Sequence, residues 1–219
     1  MKAAVVVFPG SNCDLDVVKA LRSSLGVVAD RLWHQDSHLD TKYDLMVLPG
    51  GFSYGDHLRC GAIAAHSKIM ASVKHHAARG GYVLGICNGF QILTESGLLP
   101  GALGRNTGLK FVCRGVALSI SNQNTAFTQA TKAQLTLPVA HHDGRYHIDA
   151  DGLKQLQDNQ QIALTYAEPL NGSVADIAGV LSANHRVLGL MPHPERAVED
   201  ALGGVDGQGL FLGLQSAIG

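Results

Sequence analysis

The chain has 219 residues, of which 46% are apolar and 16% charged, and its formal net charge is −1. That balance describes an ordinary globular protein with room for one α/β domain, and excludes a disordered or fibrous chain. No block of basic residues offers a nucleic-acid backbone an electrostatic foothold, so no nucleic-acid partner is expected.

In chain order, the first apolar run, Ala3 to Phe8, closes at Pro9-Gly10. It is too short for a signal or a membrane span and reads as a buried first strand, with no membrane partner and a cytoplasmic location expected. Further β-branched runs lie at Leu45 to Leu48 and Tyr82 to Ile86, each followed by glycine or proline and then a helical pattern. Such runs suit strands buried on both faces of a parallel sheet. The first helix is expected over Asp14 to Leu25, where Gly26 stops it. A second is expected over roughly Ile63 to Ala78, and a third from the turn at Cys87 to Gly97. This β-α-β-β-α-β-α alternation predicts a doubly wound, mostly parallel sheet. From 109 to 148 the runs FVCRGVALSI and AQLTLPVA predict an antiparallel excursion, with Asp143-Gly144 as a hairpin signal. A last hairpin pairs Asp176 to Leu181 with Val187 to Met191, and a helix over about Gln208 to Ala217 ends the chain. No repeat or low-complexity linker interrupts residues 1–219, so a single domain is expected.

The cysteines Cys13, Cys60, Cys87 and Cys113 are widely spaced, with no C-x-x-C pair, and are expected as free thiols in a reducing compartment. Asn171-Gly172-Ser173 then reads as a turn. One cysteine stands apart. Gly85-Ile86-Cys87-Asn88-Gly89 follows directly on a strand and has the G-x-C-x-G pattern of a nucleophile elbow. There the nucleophile sits on a strained strand-to-helix turn, and the two glycines remove side chains that would collide. The helix behind it points its N-terminus at the sulfur, which favours the reactive thiolate. An acyl-transfer nucleophile also needs oxyanion donors. The backbone N–H of Asn88 is one, and Gly50 or Gly51, in Pro49-Gly50-Gly51-Phe52-Ser53, is placed to supply the other. The base is read in Met191-Pro192-His193-Pro194-Glu195. Two residues apart in an extended stretch, His193 and Glu195 project to one side, so the carboxylate orients one ring nitrogen while the other faces the sulfur.

The remaining candidates read as structural. Cys113 is expected as a buried small hydrophobe, and Cys13 and Cys60 as loop residues. His141-His142-Asp143 matches no metal-ligand pattern, so no metal is expected. No G-x-x-x-x-G-K-[ST] loop is present and no G-x-G-x-x-G follows the first strand; the Gly-rich stretch at 203–209 reads as the start of a helix. No cofactor is therefore expected in this chain.

Gly85-Ile86-Cys87-Asn88-Gly89-Phe90-Gln91 together with His193-Pro194-Glu195 resembles the class I, or triad, glutamine amidotransferases, whose fold is flavodoxin-like. Pro9-Gly10-Ser11-Asn12-Cys13-Asp14, Gly50 to Asp56, Leu58 to Ala64 and Met191 to Ala197 narrow the resemblance. They are similar to the branch serving as the glutaminase subunit of a purine-biosynthetic synthase, which converts formylglycinamide ribonucleotide to the amidine. The resemblance spans Ala3 to Val198. It implies a glutamyl thioester on Cys87, with His193 and Glu195 completing the triad, Gly51 in the oxyanion loop and Gln91 helping to hold the glutamine backbone. It implies as partners a separate synthetase subunit, which uses ATP and magnesium, and a small bridging protein. The family pattern Ala-His-Gly-Glu-Gly-Arg-Tyr is altered at Ala140 to Tyr146, where His142 replaces glycine and Asp143 glutamate; this bears on the glutamine pocket rather than the triad. Two rival readings are a stand-alone cysteine hydrolase, which typically lacks the His-Pro-Glu arrangement, and a catalytically dead assembly module, which typically lacks a triad residue.

Overall fold

Five parallel strands carry the apolar runs that the sequence places in a core. In the computed structural model, which describes residues 1–37 and 42–218, these are β1 (Ala3–Val7), β2 (Asp30–Trp33), β3 (Leu45–Leu48) and β4 (Tyr82–Ile86), with β11 (Val187–Leu190) beside β4. β3, β4 and β11 are buried along their whole length, as expected of strands covered on both faces. Between them run α1 (Asp14–Leu25), α2 (Ile69–Ala78) and α3 (Asn88–Glu95), and α5 (Gln208–Ile218) packs against α1.

The expected second helix is shortened. A 3₁₀ turn at Ala64–His66 gives way to Ser67 in an extended conformation, with φ −68° and ψ 156°, before α2 begins. The Ser67 hydroxyl donates to Ala64 O at 2.7 Å. That local bond competes with continuing the helix.

The antiparallel part comprises β5 (Ala102–Gly104), β6 (Val112–Ile120), β7 (Gln134–His141), β8 (Arg145–His147), β9 (Ile162–Tyr166) and β10 (Ile177–Leu181). Among the described residues the main sheet has nine strands in the order β2-β1-β3-β4-β11-β10-β9-β6-β7, while β5 and β8 pair separately. The excursion is therefore joined to the main sheet as its far edge. Asp143-Gly144 does turn the chain, but β8 leaves β7 and pairs with β5, so the expected hairpin is not a two-strand ladder. β9 and α4 (Ala150–Asp158), capped by Asp149 Oδ1 accepting from Gly152 N at 2.7 Å, lie outside the expected set of elements. Cys113 is exposed, against the expectation of burial. β6 pairs with β9 only over Leu118–Ile120, so its first residues extend past the covered part of the sheet.

This topology gathers four loops at one edge. β1, β3, β4 and β11 are parallel neighbours, so the segments that follow them emerge together at their C-terminal ends, where open α/β sheets place ligands. The sheet also curls. His193 N, beyond β11, donates to Pro138 O on β7 at 2.8 Å, although three strands separate β11 from β7 in the sheet order.

Candidate active site

Cys87 joins β4 to α3 with φ 50° and ψ −103°, a sparsely populated conformation for a residue with a side chain. The surroundings hold it there. Cys87 N donates to Leu190 O at 2.8 Å, and Cys87 O accepts from Phe90 N at 3.0 Å and Gln91 N at 3.2 Å. A Cβ on Gly89 would run into Leu48 O, and one on Gly85 would come within 2.7 Å of Gly89 O. The glycines of the elbow are thus required by main chain on both sides. Cys87 is only 6% exposed, and its thiol lies 3.7 Å from Ala140 O on β7. As the first residue of α3, Asn88 has a backbone N–H without an intrahelical acceptor.

The Gly50–Ser53 loop is braced from two sides. Gly51, at φ 145°, bridges to Ser11, and a Cβ there would sit 2.8 Å from Asn12 N. Phe52 N donates to Gly10 O at 3.0 Å. From the elbow side, Asn88 Oδ1 accepts from Ser53 N at 3.1 Å. The side chain of Asn88 therefore fixes the loop that the sequence names as its partner in an oxyanion hole. Its Nδ2 donates to Gln91 Oε1 at 2.8 Å, and Gln91 Nε2 donates onward to Asp143 O at 2.7 Å. Gln91 thus ties α3 to the 141–144 segment.

His193 and Glu195 are each 2% exposed and bonded Nδ1 to Oε1 at 2.6 Å. A tight turn makes this pair: Pro194–Arg196 form one turn of 3₁₀ helix, where an extended stretch was expected. The ionised carboxylate only accepts, so Nδ1 carries a proton and Nε2 is free for the sulfur. Among the described residues Nε2 is buried with no hydrogen-bond partner. Burial alone would lower the His193 pKa, but Glu195 and Cys87 together hold it well above the ordinary histidine value.

Two residues read as structural enter this neighbourhood. Cys13 Sγ accepts from the Arg196 guanidinium at 3.0 Å and lies within 4.8 Å of ligating atoms of His193 and Glu195. Cys13, His193 and Glu195 have metal-ligand spacing, but the fixed guanidinium cation on the sulfur opposes a metal ion there. Arg196 follows Glu195 in the same motif, but nothing local in the sequence pairs it with Cys13, 183 residues away. The second residue is His141, which lies at the end of β7, 3% exposed. Cys60 has no comparable setting. Burial first, then Asp56 and Asp143, push its thiol pKa up. His142 stays toward the rim, donating from Nε2 to Leu109 O at 3.3 Å, and Asp143 pairs with Arg105 at 3.2 Å. His142 is thus anchored outward, whereas the Asp143 carboxylate is shared between Arg105 and the neighbourhood of Cys60 and its carbonyl faces Gln91.

Residues 1–203 match the family described as the CobB/CobQ-like glutamine amidotransferase domain. The PurQ subunit of phosphoribosylformylglycinamidine synthase from Cereibacter sphaeroides is 58% identical over 216 residues, covering 98% of this chain and 97% of that one. The PurQ subunit from Zymomonas mobilis is 55% identical over 220 residues, covering all of both chains. A chain of the PurLQS structure from Thermotoga maritima is similar with a TM-score of 0.91 and 45% identity, over 100% of this chain and 99% of that one. A glutamine amidotransferase from the same organism, at 16% identity and TM-score 0.61, covers 99% of this chain and 90% of its own, and shares the fold. The chain belongs to the glutamine amidotransferase family, on the branch of the PurQ subunits of phosphoribosylformylglycinamidine synthase. Among the described residues no helix is long and apolar enough to cross a membrane.

Proposed function

We propose that this chain, acting as a single amidotransferase domain, hydrolyses glutamine on Cys87 and supplies ammonia to an ATP- and magnesium-dependent synthetase. That synthetase converts formylglycinamide ribonucleotide to formylglycinamidine ribonucleotide. The chain is then the glutaminase component of a C–N ligase of purine biosynthesis, docked to the synthetase subunit and to a small bridging subunit. A nucleophilic thiol must stay reduced, which supports a cytoplasmic location.

The observation that carries the reading is the strained Cys87 elbow facing a buried His193–Glu195 pair bonded at 2.6 Å. With the thiol proton passed to His193 Nε2, whose surroundings hold its pKa high, the sulfur attacks the carboxamide carbon. The oxygen becomes an oxyanion that accepts from the backbone N–H groups of Gly51 and Asn88. His193 returns the proton to nitrogen, the C–N bond breaks, ammonia leaves and a glutamyl thioester remains. Water, deprotonated by His193, then attacks the thioester; the C–S bond breaks, glutamate departs and the thiol regains its proton. Glu195 orients the ring and stabilises imidazolium. Gln91, held between Asn88 and Asp143 O, shapes the wall that receives the glutamine backbone.

The test is the Cys87→Ala chain in complex with its synthetase. Synthesis with glutamine should vanish, and added ammonium should restore it. Glutamine-dependent synthesis surviving in that complex overturns the assignment, as does failure of ammonium to rescue.

A further inference from the structure

The ring of His141 is held by a network that fixes where its proton sits. Asn106 Nδ2 donates to Lys110 O and to His141 O, each at 3.1 Å. That fixes the amide orientation, so the atom facing the ring, 3.2 Å from His141 Nδ1, is the oxygen Oδ1. The same oxygen accepts from Gly144 N at 3.1 Å. Gly144 also packs so closely against the imidazole that a Cβ there would overlap it. An amide oxygen only accepts, so Nδ1 must donate and carries the proton. A neutral ring has one N–H, which leaves Nε2 as a bare lone pair. The ring is kept neutral: burial first, and a charge on nearby His193 second, lower its pKa to about 4. Among the described residues, His141 Nε2 is buried without a hydrogen-bond partner, and buried polar atoms of native proteins are normally satisfied.

Its setting says what supplies the missing donor. The preceding carbonyl, Ala140 O, lies 3.7 Å from the Cys87 sulfur, and His193 is anchored to the same strand through Pro138 O at 2.8 Å. In the proposed reaction the substrate carboxamide lies at the Cys87 sulfur, beside this end of β7. Its oxygen is met by N–H donors, and its nitrogen must turn a lone pair toward His193.

We propose that His141 is a substrate-contacting residue whose Nε2 accepts a hydrogen bond from the carboxamide nitrogen of bound glutamine. The contact rests on Cys87 being the nucleophile. Holding one N–H, His141 rotates the nitrogen so that its lone pair faces the proton on His193. It also sorts substrate from product. A lone pair welcomes the NH2 of glutamine and repels the carboxylate oxygen of glutamate, because a site built for a donor rejects a group that lacks one.

Two variants test this in the complex with the synthetase. His141→Asn keeps a donor to Asn106 and removes the acceptor, whereas His141→Gln restores an oxygen near the Nε2 position. For His141→Asn, kcat/KM for glutamine should fall by about tenfold to a hundredfold, and that for glutamate γ-methyl ester, which has no N–H at the reacting carbonyl, by less than about threefold. Inhibition by glutamate should strengthen, and His141→Gln should recover part of the glutamine activity. Equal losses on amide and ester, or unchanged glutamate inhibition, overturn the proposal. A second measurement does not need turnover. In the Cys87→Ala chain at pH 7, the His141 ¹⁵N resonances should show Nε2 unprotonated and should shift when glutamine is added. A protonated Nε2, or one indifferent to glutamine, also overturns it. Ester hydrolysis surviving Cys87→Ala would instead fail the nucleophile assignment.

Discussion

The two halves of the sheet contribute to the site in different ways. The parallel half, β2-β1-β3-β4-β11, supplies consecutive motifs: the elbow after β4, the Gly-Gly loop after β3 and the His193 segment after β11. Each side chain there acts close to where its own strand ends. The antiparallel half contributes a wall. Ala140 O meets the sulfur, Pro138 O holds His193 N, and the Asp143 carbonyl takes Gln91 Nε2. Two of these three contacts are with residues of β7, the strand at the far edge of the sheet. Each motif of the reaction is thus local in sequence, while the enclosure depends on curling the sheet back on itself.

The largest contrast should appear when each half receives one methyl group. Gly89→Ala drives a Cβ into Leu48 O, a main-chain atom. Neither side can yield cheaply, so several kcal/mol of stability should go, and the chain should fold poorly or lose its elbow. Gly115→Ala on β6 meets nothing nearer than Thr136 Cγ2 at 3.7 Å, an ordinary contact. It should change stability by less than about 1 kcal/mol. Urea unfolding of the two variants checks this; equal losses would erase the distinction between the halves.

Next is Glu195→Gln. The amide still reaches the ring but no longer stabilises imidazolium, so turnover at saturating glutamine should fall by about two to four orders of magnitude with the fold retained. The loss should be smaller than for Cys87→Ala. Unchanged turnover would make Glu195 structural.

The antiparallel wall should declare itself through pH. His141 has a folded pKa lowered to about 4 from 6.5. A depressed pKa means that the unfolded chain binds the proton more readily. The contribution is fully present above about 6.5 and is lost as pH falls toward 4, at up to about 1.4 kcal/mol per pH unit. His193 has the opposite sign. Its raised pKa gives a contribution that is complete below 6.5 and is lost only as pH rises through the folded value. Between pH 6.5 and 4, then, His141 sets a histidine slope and His193 does not. Denaturation midpoints at pH 7 and pH 5 should converge in His141→Asn relative to the parent chain.

How much of this the sequence discloses follows the same division. Strand and helix boundaries in the parallel half are legible, because buried β-branched runs and a Gly26 stop are local signals; α1 falls on the expected Asp14–Leu25. The break at Ser67 is missed because an apolar pattern continues through it while one hydroxyl competes for the backbone. Cys113 is misread because burial of a strand residue depends on which strands and helices cover it. Cys13 lies in the loop ahead of α1 as expected, but its contact with Arg196 is missed because the two are distant in sequence. His141 is weighed as a metal ligand because sequence shows a His-His-Asp run but not the Asn106 oxygen that fixes its tautomer.

The smallest expected effect concerns the thiols themselves, and the structure sharpens it. Sequence alone gives Cys87 a base and the other three cysteines none. Yet Cys13 sits beside the same histidine and accepts from Arg196, so access and partner must be weighed together. Cys13 is 1% exposed, with its sulfur covered by the Gly50 loop and Arg196. Cys113 is exposed, but no base is paired with it among the described residues. Cys60 is half-buried with its thiol pKa pushed up. Only Cys87 combines a partner histidine with a place at the strand edge where substrate arrives. Brief treatment with a glutamine-like electrophile should therefore label Cys87 first, Cys113 slowly, and Cys13 and Cys60 last, read by mass mapping of peptides. Cys13→Ser should leave that order intact. Labelling of Cys13 ahead of Cys87 would reverse the assignment, making the Pro9–Asp14 loop the source of the nucleophile and the elbow its support.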